Sequence, residues 1–251
     1  MFDEPTTGQD IVRRNAILSM IAHHQREQGF TAVIISHDIP DIFFISNRVL
    51  VLYEGKIVFQ GSPEELEDFD HPFVDEFLAS ITGFQENLTG MYSRRSFKIR
   101  YQNELSRKDI ADSYVIFVFT IPEFSALCQK IGYEKGQLVI KELGKYVNKH
   151  FEAVGGFSAR QRRNVFITAL PHSDLSEGQY ILQDFVKHFM NDELGCFEKK
   201  LDIKDINFEL SILAGAAVGK TGEGEINEVI RAALKNQIEI IRTQCGQGGS
   251  G

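Results

Sequence analysis

Apolar and polar positions in the second half of the chain alternate between two periods, and each switch marks a new element. Residues 114–119, YVIFVF, form an unbroken apolar run of strand length, rich in β-branched and aromatic side chains, which predicts a buried strand. A short helix is predicted near 124–131. An amphipathic helix follows over 135–151, with Leu138, Ile140, Leu143, Tyr146 and Val147 as its apolar positions. Residues 165–170 return to a strand pattern and 176–190 to a helical one. FELSILAGAAV, at 208–218, reads as a further strand, and 226–242 as the last helix. Elements in this order build an α/β sandwich.

The first 83 residues carry shorter signals. TAVIIS at 31–36 predicts a β-branched strand, and 49–53 with 56–60 predict a hairpin turning across Glu54 and Gly55. Ser62 is placed to cap a helix beginning at Pro63. Between 81 and 109 periodicity lapses, while Arg94, Arg95, Lys98 and Arg100 gather with Tyr92, Phe97 and Tyr101. This predicts a solvated linker or a partly paired connecting strand, with contact to a membrane subunit or an anionic lipid surface as the functional alternative. The expected organisation is a first domain over 1–83, a linker over 84–109, a second domain over 110–245 and a disordered Gly-rich tail over 246–251.

Charge supports that division. Residues 1–83 hold 14 acidic and 5 basic residues, whereas the remainder holds 21 and 22. Neither part is basic enough to predict nucleic acid as a partner. A hydrophobic content of 43% supports real cores, and no apolar run approaches the length of a membrane span, which predicts a soluble chain without a signal peptide. Cys128, Cys196 and Cys245 form no CxxC and cannot all pair, so a reducing cytosol is expected and a structural zinc site is not.

The candidate chemistry begins at the N-terminus with FDEPTTGQD, Phe2 to Asp10, and continues with Ser36-His37-Asp38. An Asp ending an apolar strand can hold Mg²⁺ on bound phosphates, and a Glu after it can polarise an attacking water. These residues, with VLVLYEGKIVFQGSPEEL behind them, resemble the second half of an ABC-type ATPase, a P-loop NTPase. The resemblance implies ATP and Mg²⁺ as cofactors of a complete domain. Asp3 would be the metal ligand and Glu4 the catalytic carboxylate. His37, at the carboxyl end of a strand, would reach the terminal phosphate. Gly8 and Asp10 match the loop that communicates across the nucleotide-sandwich dimer, so Asp10 would join the nucleotide site through the opposite protomer, although Gln9 replaces the usual Leu. HPFVDEFLAS at 71–80 looks like the terminal helix of the lipid-transport branch. Implied partners are a transporter membrane subunit and a second copy through the ATPase half, with a cytoplasmic location on the inner face of the cell membrane.

An ABC ATPase also needs a phosphate-binding loop ending in GK[ST] and an LSGGQ signature, both upstream of the acidic dyad. Neither is in this sequence, which leads to the expectation of an N-terminally truncated, by itself inactive ATPase portion. Gly219-Lys220-Thr221 imitates the end of a phosphate-binding loop, but the earlier Gly it requires falls on Ala214, so a solvated loop is expected there.

In the second half, FTIPEF at 119–124, Gly132, Gly136 and VFITALP at 165–171 fall at the spacing of a GGDEF domain, the fold of diguanylate cyclases, and resemble that family. The family's two metal-binding acidic positions correspond to Thr120 and Pro122, neither of which supplies a carboxylate. The Asn and Asp that follow in the family correspond to Cys128 and Gln129. The signature loop falls on Arg162, Arg163, Asn164, Val165 and Phe166, so the glycines that admit a guanine nucleotide are replaced. Ala153 and Gly156 stand where a product-inhibition RxxD would be. Glu123 is a lone carboxylate near the lost metal site, and Arg160, Arg162 and Arg163 are expected to form a solvated hairpin tip, with binding of an anion or a partner's carboxylate as the functional alternative. The resemblance therefore implies a degenerate domain with a regulatory or dimerising role. A stand-alone, non-catalytic interaction module is the alternative for the whole chain.

Overall fold

The computed structural model describes residues 1–36, 42, 45–67, 69, 89–92, 94–105, 112–201, 207–223 and 225–245. Packing divides the chain into two units, residues 1–84 with 125–137, and residues 85–124 with 138–251.

In the first unit, β1 (Phe2–Asp3) pairs in parallel with β2 (Ile34–Ile35), a shorter strand than TAVIIS predicts. Helix α1 (Ile11–Gln28) runs between them in sequence and ends at Gly29, whose left-handed φ of 68° lets its N–H bond to the Gln25 carbonyl. Strands β3 (Val49–Tyr53) and β4 (Lys56–Gly61) form the expected hairpin. Its turn residues Glu54 and Gly55 have φ of 48° and 75°, the positive values that match the turn to the twist of the strands. Helix α2 (Pro63–Glu67) starts in a capping box, with Glu65 N donating to Ser62 Oγ at 3.1 Å and Ser62 N to Glu65 Oε2 at 2.7 Å. Val51 of β3 and Leu66 of α2 are buried together among Val49, Val58, Phe59 and Phe69. The helix expected at 71–80 and the tail from 246 lie outside the described residues.

The second unit is built on a five-stranded antiparallel sheet. After α3 (Arg94–Glu104) and β5 (Ser113–Thr120) comes α4 (Phe124–Ile131), grouped with the first unit from Ser125. Then follow α5 (Tyr133–Glu152), β6 (Phe157–Arg162), β7 (Val165–Pro171) and α6 (Leu175–His188). A π-helical turn (Phe189–Glu193), α7 (Leu194–Leu201), β8 (Phe208–Lys220), α8 (Ile226–Lys235) and β9 (Ile238–Cys245) complete it. The strand order is β6-β7-β5-β8-β9. β5 lies in the middle, so both its faces are covered and its sequence reads as a continuous apolar run. Tyr114, Ile116 and Val118 face a core with Phe97, Tyr101 and Leu105 of the α3 segment and Ile226, Ile230 and Ala233 of α8. On the opposite face Phe117 meets Phe151 of α5 at 5.3 Å between ring centroids, and Phe119 meets Phe185 of α6, also at 5.3 Å.

Three expectations are corrected here. Within the segment read as a solvated linker or connecting strand, residues 94–104 form helix α3, because Phe97, Tyr101 and Leu105 recur every fourth position and bury one stripe. The last helix does not continue to Arg242. It stops at Lys235, and Ile238–Cys245 becomes the edge strand β9, paired with β8. The Gly-Lys-Thr imitation is also no loop as a whole, since β8 runs through Gly219 and Lys220. Gly219 faces Tyr114 so closely that a Cβ there would lie 2.2 Å from the ring.

Candidate functional site

The acidic dyad sits where β1 ends. Phe2 N donates to the Val33 carbonyl and Glu4 N to the Ile35 carbonyl, which sets the carboxyl ends of β1 and β2 side by side. Asp3 is exposed, at the register position opposite Ile35. Glu4 leaves the strand with φ of 44°, a left-handed value uncommon for a residue with a side chain, at the start of a tight turn. Its Oε2 accepts the Thr7 hydroxyl at 3.0 Å and the Ser36 hydroxyl at 3.1 Å. Glu4 is therefore tied to Ser36, 32 residues on in the sequence. His37 lies outside the described residues.

Asp10 stands at the N-cap of α1. Its Oδ1 accepts from Arg13 N at 2.9 Å, capping α1, and its carboxylate also lies 3.5 Å from the Arg13 guanidinium. Gln9, the departure from the usual Leu, offers its carbonyl to Arg14 Nε at 3.2 Å. The hard oxygens of Asp3 and Glu4 suit Mg²⁺ in kind. No group of three His, Cys, Asp or Glu that could hold a metal ion is found among the described residues.

The second site is the end of β5 with the β6–β7 turn. Thr120, at the first lost metal position, accepts a hydrogen bond from Gln237 Nε2 at 2.7 Å, and the same amide also donates to the Val118 carbonyl at 3.2 Å. Pro122 lies in the turn that follows, and Glu123 is exposed with φ of 47°. Neither Thr120 nor Pro122 carries a charge, so this end of the sheet does not fit the divalent cations of a cyclase.

The signature-loop segment is closed on itself. Ile121 N donates to the Asn164 carbonyl at 3.0 Å, and Asn164 Nδ2 donates back to the Ile121 carbonyl at 2.8 Å. Arg160 reaches along its own hairpin, with Nη2 donating to the Arg163 carbonyl at 2.8 Å and Nε to the Arg162 carbonyl at 3.3 Å. The Arg163 guanidinium lies 5.3 Å from the centre of the Phe124 ring. The solvated tip is thus corrected as well, because Arg160 and Arg163 are buried, at 3% and 9% exposure. The Arg162 and Arg163 carbonyls are thus taken within the hairpin, and no glycine stands in this turn.

The basic and aromatic cluster before β5 also has internal partners. Arg100 donates to Tyr92 Oη at 2.7 Å and Glu104 Oε1 at 2.8 Å, and stacks 4.5 Å from the Phe157 ring centre. Tyr101 and Tyr114 share a buried hydroxyl contact of 3.0 Å. No helix among the described residues is long and apolar enough to cross a membrane.

Comparisons with known proteins return relatives of two kinds. The ATP-binding protein MlaF of the intermembrane phospholipid transport system of Escherichia coli is 36% identical over 81 residues, covering 32% of this chain and 30% of the relative. The oligopeptide transport ATP-binding protein AmiE of Streptococcus pneumoniae is 34% identical over 92 residues, covering 36% of this chain and 26% of the relative. The chain thus spans under a third of the length of these curated relatives. Among solved structures, the GGDEF domain of FimX from Pseudomonas aeruginosa is 15% identical, with a TM-score of 0.48 over 61% of this chain and 90% of that one. The family model for the diguanylate cyclase GGDEF domain matches residues 84–241, more than half of the sequence, and the chain belongs to the GGDEF family.

Proposed function

We propose that the chain joins the C-terminal portion of an ABC transporter ATP-binding subunit, of the lipid-transport kind, to a GGDEF-family unit that makes no cyclic dinucleotide and serves as a regulatory or dimerising domain. The observation that carries the second half is the Thr120–Gln237 hydrogen bond, which occupies the position where a cyclase needs a metal-binding carboxylate. Similarity to MlaF supports the transporter half. In a subunit that also holds a phosphate-binding loop, Asp3 would coordinate Mg²⁺, His37 would approach the terminal phosphate and Asp10 would face the opposite protomer. Glu4, already receiving two hydroxyls, would orient the attacking water. The working location is the inner face of the cell membrane, against a membrane subunit.

Two measurements test this. Incubation of the chain with GTP and Mg²⁺ or Mn²⁺, followed by chromatography for cyclic di-GMP, is expected to give no product above buffer; product formation would overturn the silent assignment. Affinity isolation from detergent-solubilised membranes of the source cell is expected to recover an integral membrane subunit. Recovery of the chain only in the soluble fraction, with no such subunit, would sink the transporter assignment.

A further inference from the structure

The two edges of the five-stranded sheet differ. Along β6, Tyr92 N donates to the Ser158 carbonyl at 3.0 Å and Arg160 N to the Tyr92 carbonyl at 3.3 Å, so that edge is partly covered. β9 closes the strand order on the other side, and among the described residues none pairs with its outer edge. Its eight residues, IEIIRTQC, are rich in β-branched side chains and include no proline. An outer edge of this kind is a template for a further strand.

β9 carries one irregularity. Ile212 of β8 pairs with Ile241 but Leu213 with Glu239, so Ile240 is an extra residue, a β-bulge. Residues directly opposite each other share a face of the sheet, as do residues two apart on one strand. Ser211 and Leu213 are two apart, so their partners Arg242 and Glu239 share a face although three apart in sequence. The side chains agree. Arg242 Nη1 lies 3.6 Å from Glu239, Arg242 Nη2 lies 2.9 Å from Glu209, and the Ser211 hydroxyl donates to Glu239 at 2.6 Å.

This bulge makes the edge complementary to itself. When two copies of β9 run antiparallel about a two-fold axis between Ile240 and Ile241, Glu239 stands opposite Arg242 of the second copy, and Arg242 opposite its Glu239. Ile238, 66% exposed in the single chain, then stands opposite Thr243 of the second copy. In a regular strand, residues three apart lie on opposite faces, and the same pairing would set unlike faces against each other. A bulge blunts an edge toward an ordinary strand, whereas a second copy brings the same bulge to the axis. Arg242 keeps Glu209 through Nη2, while Nη1, at 3.6 Å from Glu239 of its own strand, is beyond hydrogen-bond distance and within reach of the second copy.

We propose that β9 is a homodimer interface, at which two copies of the chain pair antiparallel through reciprocal Glu239–Arg242 contacts and join their sheets. Such pairing rests on the dimerising role proposed above for the GGDEF-family unit and gives that role its surface and register. Two strands of this length bury less than the roughly 1,200–2,000 Å² of stable complexes, so a reversible, concentration-dependent dimer is expected.

Sedimentation equilibrium of the full chain over a concentration series tests this. Glu239→Arg and Arg242→Glu each set like charges opposite each other twice across the axis, and each is expected to weaken self-association by at least about tenfold. An equimolar mixture of the two variants restores opposite charges at both contacts and is expected to recover a dimer of about the parent's strength. A parent dimer that is unchanged in either folded variant, or a mixture no tighter than the variants alone, would overturn the β9 pairing and leave the dimerising role to another surface. A parent that stays monomeric throughout would overturn both. Circular dichroism identifies a variant that fails to fold. In that case amide hydrogen exchange of the parent decides: protection within Ile238–Thr243 is expected to rise with concentration, and unchanged exchange there would overturn the pairing.

Discussion

Asn164 and Ile121 exchange two hydrogen bonds, side-chain amide to carbonyl at 2.8 Å and backbone amide to carbonyl at 3.0 Å, so the β6–β7 turn is pinned to the end of β5. In a cyclase these two segments frame the nucleotide and its metal. Here they satisfy each other, and Arg160 takes the remaining turn carbonyls. Restoring acids at positions 120 and 122 is expected to be insufficient on its own. The double variant Thr120→Asp, Pro122→Asp is expected to produce no cyclic di-GMP from GTP and Mg²⁺, since the turn stays pinned to the end of β5; measurable product in that variant would show that the turn opens.

Gln237 carries the corresponding link from the last loop to β5. Gln237→Ala leaves the Thr120 hydroxyl and the Val118 carbonyl without this donor in a half-buried position. A cost of about 1–3 kcal/mol is expected. Urea unfolding followed by far-UV circular dichroism measures it, and an unchanged midpoint would show that water replaces the amide without loss.

Gly215 permits the close approach of α8 to β8. A Cβ there would stand 1.9 Å from the Ala233 carbonyl oxygen and 2.9 Å from Gln237 N, both backbone atoms that cannot rotate away. Gly215→Ala is expected to destabilise the second unit by about 3 kcal/mol or more, at the upper end of overpacking effects. A thermal melt within a degree or two of the parent would contradict the packing described.

His150 gives stability a pH dependence. Burial lowers its pKa from the ordinary 6.5, while Asp184 raises it and His188 lowers it, and Phe151 and Phe185 pack against its ring. Because the folded pKa is the lower one, the unfolded chain takes up the proton first as pH falls. This contribution is fully present above about pH 6.5 and is lost as pH drops from there through the folded value. Chemical denaturation at pH 7.5 and 5.5 should show the decline, and His150→Gln should flatten it.

Cys245 is buried at the end of β9, and burial, then Glu198, pushes its thiol up to about 12. Thiolate, not thiol, is the nucleophile. Iodoacetamide at pH 8 is expected to leave Cys245 unmodified in the folded chain and to label it after denaturation, as read by peptide mass spectrometry. Rapid labelling of the native chain would place this thiol at the surface.

What the sequence determined by itself was every feature carried by local pattern or by the residue types at a site. The apolar run of β5, the Glu54–Gly55 turn and the Ser62 cap needed only their own neighbours. Tertiary structure decided the rest. Ile226, Val229, Ile230 and Ala233 set a helical rhythm that Ile238 and Ile241 continue, and only pairing with β8 turned Ile238–Cys245 into a strand. Phe97, Tyr101 and Leu105 had helical spacing within a basic, highly polar segment, and became legible as α3 once a sheet face was there to bury them. The burial of Arg160 and Arg163 was likewise invisible along the chain, because a guanidinium leaves water only where folding brings carbonyls and a ring within its reach.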